Sequence, residues 1–310
     1  MTPATIAVVI HPRGKPIQSL PREVQIALNA STEELYTSLA EATALSIHRL
    51  RITNGSDCRL IPNSRKFTIK EVGVKNKSRI NVKDLGPQVS WRTVFIAEYL
   101  GPVIIPGLFL FPLRPYLYRT HGTITEPSNA QRLLCVLLTI HFVKREYESI
   151  FVHRFSNATM PARNIARNSG YYCVMSCNMA YWMFRPNSAT ATVRSSPALL
   201  YAGVALFVFG ELANLNAHLV LRDLRRAGTT DRGVPCGFGF DAVTCPNYLF
   251  EIIAWVGIYL VSGLSWSVLM FIIIGSVQMG IWARKKERRY REEFGDRYKR
   301  KRFVMLPGFI

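Results

Sequence analysis

The spacing of apolar positions changes character along the chain. Residues 4–10 (ATIAVVI) and 23–28 (EVQIAL) have the length and patterning of strands. They are separated by the turn-forming HPRGKP of residues 11–16. Ser31 or Thr32 then caps a helix with Glu33 and Glu34 in its first turn, and Leu35, Leu39 and Ala42 line its apolar face. Further short strands are expected near Ser46–Ile52, Arg59–Ile61 and Arg79–Val82. This order predicts an α+β roll over residues 1–85.

From Trp91 onward the pattern becomes one of long apolar stretches: Trp91–Phe111, Gln131–Phe151, Gly170–Phe184 and Ala198–Leu221. The second contains charges and the third is short. The uncharged run Ile252–Ala283 exceeds the roughly 20 residues that one crossing needs. Ser262-Gly263 supplies a turn, so the run reads as a helical hairpin. Residues 86–310 are therefore expected to form an α-helical polytopic membrane bundle of about six transmembrane helices, behind the N-terminal α+β domain.

Composition agrees. Of 310 residues 49% are hydrophobic and 19% charged, too apolar for a disordered chain. Six Cys without a C-x-x-C spacing suggest neither a disulfide framework nor a zinc site. The first residues, MTPATIAVVIHPRGKP, lack a basic region followed by an apolar one, so no secretory signal is expected. The net charge of +19 is concentrated at the end: residues 284–310 carry 11 Lys and Arg against 4 acids. With both termini cytosolic, the inner connections hold Arg154, Arg163 and Arg167, then Arg222, Arg225, Arg226 and Arg232, against two arginines in each of two outer loops. Four N-x-[ST] triplets, at Asn29, Asn54, Asn76 and Asn157, all fall on the cytosolic side and are expected to be unglycosylated.

Ionisable residues within spans suggest function. His141, Lys144, Arg145 and Glu148 share one helical face, with Lys144 and Arg145 both in reach of Glu148. Two readings stay open: a helix end whose cations snorkel to headgroups, or a polar wall receiving an anionic ligand. Glu98 and Glu211 each stand alone and raise the same question more weakly. Asn214 and His218 face one way, and Arg222 and Arg225 continue the stripe. Asn247 and Glu251 lie one turn apart at the start of a span, with Tyr248 beside Asn247. A phenol there serves as an interfacial anchor or as part of a site. The segment 151–168, rich in Arg and amides, suits phosphates or headgroups. Neither G-x-G-x-x-G nor a Walker sequence occurs, so a dinucleotide would not lie on a Rossmann unit.

The segments LGPQVSW (85–91), HFVKREYE (141–148), FVHRFSNATMPARN (151–164), LRDLRRAG (221–228) and CPNYLFE (245–251) resemble the very-long-chain trans-2-enoyl-CoA reductases. The likeness covers nearly the whole chain, including the N-terminal roll, which reads as ubiquitin-like and serves stability or docking rather than catalysis. The C-terminal half more loosely resembles the steroid 5α-reductase superfamily, through Asn247 and Glu251. The resemblance implies an endoplasmic reticulum membrane enzyme that reduces the 2,3 double bond of a long acyl-CoA with NADPH, the last step of each fatty acid elongation cycle. Tyr248 is the implied acid, with Lys144, Arg145 and Glu148 needed for activity and Lys144 or Arg145 as a cation near the phenol. Cofactor contacts are implied for Asn214, Arg222, Arg225, Asn247, Glu251, Lys286 and Tyr290. His218 stands where the 5α-reductase branch has an acid, and Lys285 could replace Lys286 in the alignment. Membrane lipid, the acyl-CoA and other enzymes of the elongation cycle are the expected partners, and nucleic acid is not one. The alternatives are a steroid or polyprenol reductase of the same superfamily, a membrane adaptor without activity and a methyltransferase using S-adenosylmethionine.

Overall fold

The structure is a computed structural model that describes residues 4–121, 125–155, 158–191, 196–224, 233–299 and 303–309. It divides into two compact units, Met1–Trp91 with Asn157–Asn164, and Arg92–Ser156 with Ile165–Ile310.

In the first unit β1 (Thr5–Pro12) and β2 (Glu23–Ala27) pair antiparallel, helix α1 (Thr32–Thr43) follows, and β3 (Leu50–Asn54) and β4 (Arg79–Asp84) complete a sheet of order β2-β1-β4-β3. β1 and β4 run parallel at its centre, with Ile10 opposite Ile80. Ser31 caps α1 in a reciprocal box with Glu34. Val8, Leu35, Leu39, Ile52, Ile80 and Val82 are fully buried between helix and sheet. Two expected strands differ. Ile47–Arg49 is a 3-10 turn and the strand begins only at Leu50. Residues 59–61 make only an isolated bridge, Leu60 to Thr53. They are held instead by the buried Tyr36, whose hydroxyl donates to the Ile61 carbonyl at 2.8 Å and accepts from the Ile52 amide at 3.2 Å. A short antiparallel pair, β5 (Gln88–Ser90) with β6 (Thr159–Pro161), was not foreseen, because its partners are far apart in the chain.

The second unit is helical: α2 (Trp91–Leu110), α3 (Arg114–Leu117), α4 (Asn129–Tyr147), α5 (Arg163–Phe184), α6 (Pro197–Asp223), α7 (Pro246–Val261) and α8 (Trp266–Phe294). α4 runs on into a π-helical turn, Glu148–Val152. Trp91–Leu110, Pro197–Asp223 and Trp266–Arg297 are long and apolar enough to cross a membrane, as befits a membrane protein, and α7 is a shorter apolar helix. The expected hairpin is present: Gly263 and Leu264 adopt positive φ, and Ser262 Oγ accepts the Ser265 amide at 3.1 Å. At one end of this unit buried Gln131 donates to the carbonyls of Met183 and Arg185, both at 3.2 Å, satisfying the C-terminus of α5.

The packing that matters most for the site is α6 on α7. A Cβ on Gly210 would lie 2.5 Å from the Ala254 amide nitrogen, and one on Gly257 would lie 2.5 Å from the Gly203 carbonyl oxygen. Backbone therefore meets backbone, as small residues permit between apolar helices. Phe207, Trp255, Ile258 and Val261 fill the space around this contact.

Candidate active site

α4 turns His141, Lys144, Arg145 and Glu148 toward α6 and the start of α7. Lys144 Nζ lies 2.6 Å from Asn214 Oδ1, 3.0 Å from Glu211 Oε2 and 3.3 Å from Glu148 Oε1. Its three N–H donors thus face three acceptors. Arg145 contacts Glu148 Oε2 at 3.2 Å and donates to the Tyr99 hydroxyl at 2.9 Å. Asn214 Nδ2 donates to the Asn247 carbonyl at 2.7 Å and to Glu251 Oε2 at 3.1 Å. His141 sits between two carboxylates, Nδ1 2.5 Å from Glu211 and Nε2 3.4 Å from Glu251. Carboxylate oxygens only accept, so this geometry asks both ring nitrogens to donate. His218 Nδ1 completes the cluster 3.0 Å from Glu148 Oε1.

The snorkelling alternative fails: the Lys144 and Arg145 side chains are each 14% exposed and Glu148 is fully buried. Glu211 does not stand alone either, since it joins His141 to Lys144. Glu98 does what a helix-packing carboxylate does, accepting from Asn168 Nδ2 at 2.9 Å. Buried carboxylates need partners, and three of them here (Glu148, Glu211, Glu251) are met by Lys144, Arg145 and His141. Glu148, His153 and His218 present ligand atoms within 4.8 Å of one another. Lys144 and Arg145 already compensate Glu148, which disfavours a divalent ion there. His153, in the connection after α4, is pushed down to about 3 by burial and then by the neighbouring His218 and Arg145 charges.

Tyr248 lies on the other side of Asn247. Lys286 Nζ, rather than Lys144 or Arg145, is the cation on its ring, 6.0 Å from the centroid, and the same amine is 5.7 Å from the ring of buried Tyr290. Lys286 is half-buried whereas Lys285 is exposed, so the inward residue of the pair is Lys286. Arg222 is not drawn into the cluster. Its guanidinium binds the neighbouring Asp223 at 2.7 Å, while its carbonyl accepts from Arg154 at 3.3 Å. Arg225 lies outside the described residues. Asn247 Oδ1 is buried with no hydrogen-bond partner among the described residues. His141 joins the cluster from the polar face it was expected to share with Lys144, while Glu211 and Tyr99 join without having been assigned to it; the signal for Glu211 was its i,i+3 spacing from Asn214.

Residues 158–310 match the family model described as 3-oxo-5-alpha-steroid 4-dehydrogenase. A Dictyostelium discoideum protein named very-long-chain enoyl-CoA reductase is 38% identical over 89% of this chain and 91% of its own. A Schizosaccharomyces pombe protein named as an enoyl reductase is 39% identical over 98% of this chain and 100% of its own. A Caenorhabditis elegans protein named as a very-long-chain enoyl-CoA reductase is 36% identical over 77% and 78%. The chain belongs to this family of enoyl-CoA reductases.

Proposed function

We propose that the chain reduces the 2,3 double bond of a long trans-2-enoyl-CoA with NADPH, as the last step of the fatty acid elongation cycle, in the endoplasmic reticulum membrane with both termini cytosolic. One observation carries this reading. In a chain 38% identical to a named very-long-chain enoyl-CoA reductase, Lys144, Arg145, Glu148, Asn214, Asn247 and Glu251 converge on one buried polar cluster, with Asn247 beside Tyr248.

The residues suit a nicotinamide nucleotide. Asn247 Oδ1, unpartnered and buried, matches a carboxamide donor. Lys286 supplies a cation for phosphate, and Asn214, itself donating to Glu251, holds the Asn247 carbonyl in place; the resemblance adds Tyr290, Arg222 and Arg225 as cofactor contacts. When bound, the nucleotide supplies the hydride. Tyr248 then gives its phenolic proton to the α carbon of the substrate or donates to the thioester oxygen, where negative charge develops. Lys286, on the same ring, stabilises the phenolate that remains. Lys144 donates to Asn214 and pairs with Glu211 and Glu148, so it orients these groups rather than reacting.

The bundle is proposed to cross six times, with α4 and α5 among the spans. α4 looks too polar for a span because its polar residues point inward: Gln131, His141 and Glu148 are buried, while Val136, Ile140 and Val143 are exposed as lipid-facing residues would be. The first unit is proposed to be the ubiquitin-like domain of residues 1–85, followed by the catalytic domain over 86–310.

Oxidation of NADPH by the purified full-length protein, followed on a long trans-2-enoyl-CoA and on steroid and polyprenol acceptors, tests the proposal. Turnover confined to the enoyl-CoA supports it, and absence of NADPH oxidation with every acceptor overturns it. A Tyr248→Phe protein with the wild-type rate would remove Tyr248 from the mechanism.

A further inference from the structure

Glu287 is 4% exposed, yet no part of the chemistry above uses it. A carboxylate so buried needs hydrogen bonds to offset its lost hydration. Its Oε2 finds them in two hydroxyls from separate parts of the chain, while Oε1 lies 3.8 Å from Arg291 Nε. Thr244 Oγ1, in the turn before α7, donates to Glu287 Oε2. The Tyr298 hydroxyl, beyond the end of α8, donates to the same oxygen at 2.6 Å. Thr244 and Tyr298 are themselves 3.0 Å apart, which closes a triangle, and both are buried. Burial and the Glu287 carboxylate both push the Tyr298 phenol up, so it stays protonated and donating.

The backbone repeats the connection. The Cys245 amide donates to the Val304 carbonyl at 3.0 Å, the Thr244 amide to Phe303 at 3.4 Å, and Val243 pairs with Phe303. Met305, fully buried, packs with Cys245, Ile252 and Ala283, and half-buried Tyr248 lies against this group. Glu287 is the chain neighbour of Lys286, and the Tyr248 amide donates to the Cys245 carbonyl at 3.1 Å. Holding Thr244 to Glu287 therefore sets both the start of α7 and the rotation of α8, the two elements that carry Tyr248 and Lys286.

We infer that Glu287, with Thr244 and Tyr298, is a buried clasp that positions Lys286 against Tyr248 and makes the segment 303–306 part of the catalytic unit. The inference rests on the reading of Tyr248 and Lys286 given above.

The test is steady-state kinetics on the full-length protein with NADPH and a long enoyl-CoA. Glu287→Ala lowers kcat/KM for NADPH roughly tenfold, as expected for losing hydrogen bonds to a charged group. Glu287→Gln, which keeps an acceptor oxygen, recovers most of that loss. Because the clasp acts on the Lys286–Tyr248 pair, Glu287→Ala costs less once Lys286 is gone, so Lys286→Ala/Glu287→Ala loses less than the product of the two single effects. Effects that multiply in the double variant overturn the clasp and leave a merely structural role. Glu287→Ala at the wild-type rate, with Lys286→Ala impaired, overturns the clasp alone. Lys286→Ala at the wild-type rate overturns the reading of Lys286 and the clasp with it. If Glu287→Ala does not fold, Tyr298→Phe removes a single hydroxyl: a shift in kcat/KM for NADPH in the same direction supports the clasp, and unchanged kinetics overturn it.

Discussion

Asn214 Nδ2 reaches Glu251 Oε2 at 3.1 Å, although the two residues are 37 positions apart on different helices. Short polar side chains can meet this way only if their helix axes come unusually close. Gly203, Gly210 and Gly257 provide that closeness, because at each of them a Cβ would collide with the facing backbone. The polar cluster is thus a consequence of a glycine contact one turn away.

A methyl group at Gly210 has to force α6 and α7 apart. Gly210→Ala is expected to destabilise the protein by about 1–3 kcal/mol, the usual cost of overpacking, and to lower activity more than its loss of stability explains. Thermal unfolding in detergent alongside kcat/KM of the remaining folded protein checks this. A variant with unchanged kinetics would separate the cluster from the helix contact.

Glu211 and Lys144 lie 3.0 Å apart and both are largely buried. Glu211→Gln leaves Lys144 with one fewer carboxylate, while Lys144→Met leaves Glu211 facing only His141. Each single change is expected to cost about 3–5 kcal/mol, as for other broken buried pairs, and the double change less than the sum. Strict additivity in a double-mutant cycle of unfolding free energies would show that the pair does not couple.

Two groups outside the spans make opposite ends of an acid transition. The Arg49 guanidinium holds the Asp84 carboxyl below its ordinary range through bonds at 2.5 and 3.0 Å. Its depressed value means stability that is present above about pH 4, the unfolded value, and lost as pH falls through the folded one. Hydrogen exchange in β3 and β4 should show that loss in the wild type and not in Arg49→Met.

His153, pushed down to about 3 by burial, stays neutral in the fold but charges in the unfolded chain. Its contribution is present above about pH 6.5, the unfolded value, and disappears progressively as pH falls toward 3. His153→Phe is expected to flatten the unfolding midpoint between pH 6.5 and 5. An unchanged slope would show that His153 does not set it.

The triplets at Asn29, Asn54, Asn76 and Asn157 offer a check on orientation. With the proposed topology none carries glycan after insertion into microsomes. A mass shift reversed by endoglycosidase would invert the topology.

Local chemistry was readable along the chain. The capping box at Ser31 and Glu34, the β1 and β2 pattern, and the turn after Val261 all depend on neighbours within a few positions, and sequence spacing reports such neighbours directly. The same holds for Lys144 and Arg145 with Glu148, since i,i+3 and i,i+4 residues share a helix face wherever the helix packs. What the sequence alone determined was therefore the polar stripe on each helix, and what tertiary structure decided was which stripes meet. The Arg222 end of one stripe turned to its neighbour Asp223, Glu211 entered from a position that looked isolated, and Lys286 took the place by Tyr248 that Lys144 and Arg145 had seemed to fill. Burial is the reason: an ionised group withdrawn from water must find a partner, and which one lies within about 3 Å depends on helix separation and rotation, set here by glycines and by a C-terminal tail remote in sequence.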